Sequence, residues 1–244
     1  MNMHVVITGA AGGIGRALSE GFLAAGWLVT GLDRAETALR TSRYRHRRID
    51  ITDEAALDAA LAEAWERSPV STVFGNAALT DFDHLAAVDL PYERWQRILR
   101  VNVDGAFLTG RLAGRRMAAQ GFGNIVFVTS SLAFLDQAKA NDAPYCASKA
   151  AVEMLMRVLA QELAPRVNVN TLFPSVKVDT GFFAHLSPAE RADLARPDIL
   201  NEAALALAAL PPGVLSGVSV DQERFDRDPA YRAALVTADE EVMA

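Results

Sequence analysis

Apolar positions along the 244-residue chain follow two alternating rhythms. Short runs rich in β-branched residues and bounded by turn formers recur at 4–8, 27–32, 71–75, 124–130, 167–173 and 217–220. Successive side chains of a strand point to opposite faces, so an unbroken apolar run predicts a strand buried on both sides. Between these runs, apolar residues spaced three and four apart predict helices at 14–25, 54–66, 92–119, 145–163 and 198–209. Strand alternating with helix is the βαβ pattern, which gives a parallel sheet covered by helices on both faces. The expected architecture is α/β, a doubly wound parallel sheet of about seven strands. Neither a repeat of solenoid period nor a low-complexity linker divides the chain, so residues 1–244 read as one domain. A seventh strand is expected at 44–49, YRHRRI, which has polar residues on both faces. Charge of this kind keeps an edge strand from pairing further; alternatively its arginines lie near a phosphate.

Composition narrows the class. Apolar residues make up 51% of the chain, as expected of a globular protein and not of a disordered one. No apolar run reaches the length of a bilayer span, and the strand reading of 3–8 leaves no room for a cleavable signal. The single cysteine, Cys146, excludes an internal disulfide and suits a reducing compartment. Together these predict a soluble, cytoplasmic protein with no membrane partner. A formal charge of -6 gives no basis for nucleic-acid binding. The four histidines are scattered without metal-ligand spacing, so no metal is expected. Of the 24 basic residues only Lys139, Lys149 and Lys177 are lysines, which draws attention to each.

Residues 7–20, ITGAAGGIGRALSE, place Gly9, Gly12, Gly13 and Gly15 between the first strand and the first helix. At such a junction glycines tighten the turn and let backbone N–H groups approach an anion at the helix N-terminus. The second strand ends on Asp33, eighteen residues beyond Gly15. A carboxylate there accepts hydrogen bonds from ribose hydroxyls and repels a 2′-phosphate, the combination that favours NAD. Arg34 argues for NADP, since a guanidinium can clamp that phosphate. Farther along, Tyr145 and Lys149 are four apart on a predicted helix and share one face. A phenol of pKa near 10 is a poor base, but a neighbouring ammonium favours its ionised form. Cys146, beside Tyr145, reads as a small helix-face residue.

Taken together these motifs make the chain resemble the single-domain short-chain dehydrogenases/reductases, from residue 4 to about 200. Thr8-Gly9-Ala10-Ala11-Gly12-Gly13-Ile14-Gly15 resembles that family's Rossmann-type cofactor motif. Asp50 and Ile51 stand where the family touches adenine, and Asn76-Ala77-Ala78 where it has Asn-Ala-Gly. Asn102 corresponds to its helix-borne active-site asparagine, Ser130 to its catalytic serine, and Tyr145 with Lys149 to its Tyr-x-x-x-Lys. The resemblance implies hydride transfer between a nicotinamide cofactor and a hydroxyl or carbonyl of a small polar substrate. Tyr145 would exchange the proton and Ser130, preferred over Ser131, would hold the oxygen. Lys149 would bind the nicotinamide ribose and tune Tyr145, while Asn102 would anchor a water in a proton relay. NADP-preferring members often carry a basic residue where this chain has Gly12. A nucleotide-binding scaffold, or an epimerase or dehydratase with bound NAD, are the alternatives.

Two segments depart from the pattern. The family's Pro-Gly-x-Val-x-Thr is here Pro174-Ser175-Val176-Lys177-Val178-Asp179-Thr180, so the nicotinamide contact falls on Val176 or Val178. Residues 180–197 then read as a lid carrying Phe182 and Phe183, and 221–244 as an atypical acidic tail replacing the usual Val-Asp-Gly-Gly ending. A homodimer or homotetramer is implied. Lys139 and Lys177 flank the expected substrate site and could meet an anionic group there.

Overall fold

In the computed structural model, which describes residues 3–237, the apolar runs line up as one parallel sheet. Among the described residues its strands are β1 (His4–Thr8), β2 (Leu28–Asp33), β3 (Tyr44–Arg48), β4 (Thr72–Gly75), β5 (Gly123–Val128), β6 (Val167–Phe173) and β7 (Ser219–Asp221). Their spatial order is β3-β2-β1-β4-β5-β6-β7. The helices are α1 (Gly13–Ala24), α2 (Glu54–Arg67), α3 (Tyr92–Leu99), α4 (Gly105–Gln120), α5 (Ala143–Leu163), α6 (Pro188–Arg191), α7 (Asn201–Ala208), α8 (Gln222–Arg227) and α9 (Pro229–Thr237). The chain winds outward from β1 in one direction and from β4 in the other. The crevice at the carboxyl ends of these two neighbours is where doubly wound sheets bind ligands.

Alternation along the strands builds two cores. Val5 and Ile7 face one side with Leu18 and Phe22 of α1 and Leu207 of α7. Val6 faces the other, with Leu57 and Leu61 of α2, Met117 of α4 and Met156 of α5. β3 pairs with β2 alone, and of its side chains only Tyr44 is buried, as an edge strand requires.

Strand β6, VNVNTLF, is wholly buried although it carries two asparagines. Val167 and Val169 enter one core; the asparagines, on the other side, satisfy the connection between α7 and β7. Asn168 Nδ2 donates to Asn124 Oδ1 at 2.8 Å and to the Pro211 carbonyl at 2.8 Å. Asn170 Nδ2 donates to the Leu215 carbonyl at 2.9 Å, and its Oδ1 accepts from the Val218 amide at 3.0 Å. Buried amides are tolerated because their partners are complete.

Two segments differ from expectation. The helix read over 92–119 is broken into α3 and α4 by a π turn at Arg100–Asp104. One extra residue in that turn rotates Asn102 inward, to 2% exposure. An apolar period cannot reveal so small an insertion. The acidic tail begins as two helices, α8 and α9, which bury Phe225, Tyr231 and Leu235 in the first core; positions 238–244 lie outside the described residues.

His4 of β1 is fully buried. Its Nδ1 meets the Ser68 carbonyl at 3.1 Å and its Nε2 the Thr30 hydroxyl at 2.9 Å. Burial is the main cause that lowers its pKa to about 4, helped by Arg67 and Arg45 and opposed by the bond to Ser68. The unfolded chain takes up this proton near pH 6.5, and the folded chain only near 4. Stability is therefore present above 6.5 and lost as the pH falls through this window. The loss is about 3 kcal/mol at 1.36 kcal/mol per unit. Denaturant unfolding at pH 7 and pH 4 should show that much less acid destabilisation in His4→Gln than in the wild type.

Candidate active site

The site grows from the β1–β4 junction. Thr8 Oγ1 accepts the amides of Asn76 and Ala77 at 3.0 and 3.1 Å. Asn76 Nδ2 answers by donating to the carbonyls of Thr8 and Gly9 at 2.9 and 3.2 Å. Gly9 turns with φ +68°, a left-handed conformation that glycine adopts without strain. Gly15 packs so closely that a Cβ would sit 2.0 Å from the Gly9 carbonyl oxygen. Helix α1 starts at Gly13 with no side-chain cap on its N-terminus and no acidic residue in its first turn. Its first amides are therefore available to an anion, and the dipole favours one. These residues fit the pyrophosphate of a dinucleotide.

Asp33 ends β2 beside this cradle. Its Oδ2 accepts from the Ala11 amide and its Oδ1 from the Ala35 amide, both at 2.9 Å. The carboxylate is thus fixed in place, with lone pairs left for ribose hydroxyls. Arg34 is 73% exposed, with Nε 3.8 Å from Asp50 Oδ2. Burial tends to raise the Asp50 pKa, but hydrogen bonds from Thr52 and the charges of Arg34 and Arg100 outweigh it and hold the carboxyl low. Ile51 is buried and lies under Gly105, where a Cβ would come within 2.4 Å of its Cδ1. The Ile51 side chain thus packs against the start of α4. Beyond Asp33, a cavity of about 620 Å³ is lined by Arg40, Tyr44, His46 and Arg48. The edge-strand reading of 44–49 thus holds, and the strand presents basic side chains to this concavity.

Helix α5 and the end of β5 bring the reactive groups together. Tyr145 is half-buried, and burial pushes its phenol up to about 12, against the pull of the Ser130 hydroxyl. Lys149 is buried, with Nζ donating to the Val128 carbonyl at 2.7 Å and lying 5.6 Å from the Tyr145 ring centroid. Burial brings its ammonium down to about 8, opposed by the charge of Glu153. In the protein alone, desolvation outweighs the mutual attraction expected to ionise Tyr145.

Asn102 uses its side chain as a clamp. Oδ1 accepts from the Leu79 amide at 2.7 Å, while Nδ2 donates to the Leu79 carbonyl and the Ser148 hydroxyl, both at 2.9 Å. Glu153, one turn beyond Lys149, was not singled out in the sequence. It is buried and accepts from Thr129 at 2.6 Å, Thr171 at 3.0 Å and Ser219 at 2.5 Å. These hydroxyls lie just beyond β5, on β6 and on β7, so the helix that carries Lys149 is bolted to three neighbouring strand ends. A lone acid among apolar residues, AVEMLM, was its signal.

The segment after β6 closes over the cradle. Val176 is 45% exposed, whereas Val178 is 5% exposed and bridged to Ala195. Thr180 lies against Gly13, whose Cβ would meet it at 3.1 Å. Arg191 pairs with Asp179 at 2.7 Å, so residues 180–194 form an excursion tied at its base. Its Phe182 sits edge-on to the Tyr145 ring at 5.9 Å and to Phe82 at 6.4 Å. Ser175, which replaces the family's glycine, donates to Asp221 at 2.6 Å. Asp221 in turn caps α8, so the two departures from the pattern contact each other. Pro174, Ala77 and Ala78 line the same end of the sheet and are partly exposed. Lys177 is exposed, while Lys139 is engaged with Asp142 at 2.6 Å.

A family model described as short chain dehydrogenase matches residues 3–191. An NAD-dependent glycerol dehydrogenase of Listeria innocua is 37% identical over 180 residues, covering 70% of this chain and 69% of that protein. A galactitol 2-dehydrogenase (L-tagatose-forming) of Cereibacter sphaeroides is 36% identical over 176 residues, covering 69% and 68%. A 3-ketoacyl-(acyl-carrier-protein) reductase of Brucella melitensis, solved as a complex with NADH, superposes with a TM-score of 0.80 at 27% identity, covering 90% of this chain and 96% of that one.

The close packing of the cradle separates two neighbouring glycines. A Cβ on Gly15 meets backbone, whereas one on Gly12 meets nothing within 4 Å. Gly15→Ala should cost about 3 kcal/mol in denaturant unfolding, at the upper end for overpacking. Gly12→Ala should stay within about 1 kcal/mol of the wild type.

Proposed function

The chain belongs to the short-chain dehydrogenase/reductase family, and from that membership we propose that its natural substrate is a polyol or sugar-like molecule, oxidised or reduced at one carbon. It is an NAD(P)-dependent oxidoreductase, in keeping with relatives that are an NAD-dependent glycerol dehydrogenase and a galactitol 2-dehydrogenase. The observation that carries the assignment of roles is the convergence of Ser130, Tyr145 and Lys149 at the end of the sheet that holds the glycine cradle. NAD is the preferred cofactor, supported by the fixed Asp33 carboxylate; the basic cavity beside it leaves room for NADP.

When bound, the cofactor supplies the hydride acceptor or donor and, in its oxidised form, a positive charge beside the phenol. Gly9, Gly13, Ile14 and Gly15 would seat its pyrophosphate, Asp33 and Arg34 its adenosine ribose, and Asp50, Ile51, Asn76, Ala77 and Ala78 would hold the adenine side. Pro174, Val176 and Thr180 would hold the nicotinamide end. Val176 is the exposed one of the two candidate valines; Val178 anchors the lid instead. Ser130 donates to the substrate oxygen and orients it. Tyr145 passes a proton to that oxygen in reduction and takes one in oxidation. Burial keeps Tyr145 protonated, the form that reduction needs, so oxidation should accelerate as the pH rises. Lys149 holds ribose hydroxyls and, as an ammonium, stabilises the phenolate. Since the Asn102 side chain is committed to Leu79 and Ser148, its relay role falls to its backbone carbonyl. Residues 180–197 act as the lid, and closure excludes water.

We further place the protein in the cytoplasm, on the strength of its lone cysteine, and assemble it as a homodimer or homotetramer. Among the described residues no helix is long and apolar enough to cross a membrane. The outer face of α5 leaves Met154 63% and Val158 45% exposed one turn apart, and α4 leaves Phe107 45% exposed. Light scattering should return a dimer or tetramer, and the double variant Met154→Glu/Val158→Glu should dissociate it.

Fluorescence titration should show NADH binding at least about tenfold tighter than NADPH, one interaction of roughly 1.4 kcal/mol. Tyr145→Phe should keep that affinity while lowering kcat with polyols by about 10³-fold, within the span of general acid–base catalysis. Failure to bind either dinucleotide would favour a scaffold role instead.

A further inference from the structure

Next to the catalytic residues lies a cluster that the mechanism above does not use. Asp142, three residues before Tyr145, is only 4% exposed, yet it carries a carboxylate. Its Oδ1 meets His84 Nδ1 at 2.7 Å and its Oδ2 meets Lys139 Nζ at 2.6 Å. His84 stands on the loop after β4 with φ +48°, a left-handed conformation that is strained for a non-glycine residue. Such strain persists where surrounding contacts impose it and is concentrated at ligand sites. The lid reaches the same place, because the His185 ring lies 6.4 Å from that of His84. Three residues earlier on the lid, Phe182 contacts both Tyr145 and Phe82. The His84 imidazole therefore borders the mouth through which a substrate reaches Tyr145, and its side chain is 40% exposed.

The Asp142 carboxylate can only accept hydrogen bonds, so Nδ1 of His84 carries the proton that it receives. In the neutral imidazole this makes Nε2 an acceptor, and it has no partner among the described residues. An acceptor suits a hydroxyl, which can donate, and gives nothing to a carboxylate, which cannot. The local charge acts in the same sense. Arg94 pairs with both Asp81 and Asp83, and Lys139 with Asp142, while Glu93 and Arg97 line one cavity with Asp81 and Asp83, so these groups set four carboxylates against three cations. Lys139, a candidate for meeting an anionic substrate, is neutralised by Asp142.

We propose that His84, oriented by Asp142, is a specificity-determining residue that hydrogen-bonds a hydroxyl on the far end of a neutral polyol and disfavours the corresponding sugar acid. The inference rests on the polyol reading above and narrows it. His84 touches substrate; Asp142 is a positioning residue that acts through it.

The test compares galactitol with galactonate, which differ in one terminal group, using the full-length enzyme with NAD at pH 8. The wild type should favour galactitol by at least about tenfold in kcat/KM, the worth of one hydrogen bond together with an unfavourable charge. His84→Asn, which tolerates the left-handed backbone, should raise KM for galactitol five- to tenfold while kcat changes less than twofold. Its preference for galactitol over galactonate should fall accordingly. Asp142→Asn should shift the preference in the same direction, and an unchanged Kd for NADH would show that both variants remain folded. Should the wild type oxidise galactitol while both variants keep its preference, or should it prefer galactonate, the role of His84 is overturned and the polyol reading is judged on its own rates. A wild type that binds NADH but is inert toward galactitol, sorbitol and glycerol alike overturns both.

Discussion

The close approach of α1 to the carboxyl ends of β1 and β4 is the constraint on which the rest of the site depends. Only a residue without a side chain can occupy position 15, because the Gly9 carbonyl stands 2.0 Å from where a Cβ would be. That approach aims the uncapped helix N-terminus into the crevice and brings the Asn76 amide within reach of the Thr8 and Gly9 carbonyls. Asp33 is then fixed from the same loop through the Ala11 amide. A cradle made in this way is held by its own hydrogen bonds, which limits the ordering that a ligand's binding must supply.

The reactive half is organised along one helix. Asp142, Tyr145, Lys149 and Glu153 are spaced three, four and four apart, which puts an acid, a phenol, an amine and a second acid on one stripe of α5 and its N-terminal edge. The inner acid is buried and tied to three strands; the outer one faces the mouth and holds His84 and Lys139. Between them, burial moves the phenol and the amine in opposite directions, to about 12 and about 8. Each is thereby biased toward its neutral form, and a cationic ring beside the phenol shifts the balance toward ionisation.

Departures from the family pattern turn out to be correlated. Serine replaces glycine at position 175, and the chain continues past Asp221 into a helix instead of ending in paired glycines. Ser175 and Asp221 are hydrogen-bonded, and Asp221 also caps that helix. The loop after β6 is thus secured by the segment that covers the first core.

Sequence alone was enough for the sheet, its parallel sense and the cradle, because their causes are local. Apolar runs of strand length reported burial on both faces, and Gly9, Gly13 and Gly15 reported a tight turn with close backbone packing. The Tyr145–Lys149 pair was legible because helical spacing is itself a geometry. What stayed hidden depended on segments distant in the chain. The π turn at Arg100–Asp104 shifts the helix by a single residue, below the resolution of any hydrophobic period. The different exposure of Val176 and Val178 needed the bridge to Ala195. Lys139 changed meaning once Asp142 was beside it, and His84 acquired one only when the lid and the start of α5 met it from opposite sides. Backbone preference and burial are written into neighbouring residues; the pairing of charges across the site is decided by how the chain folds back on itself.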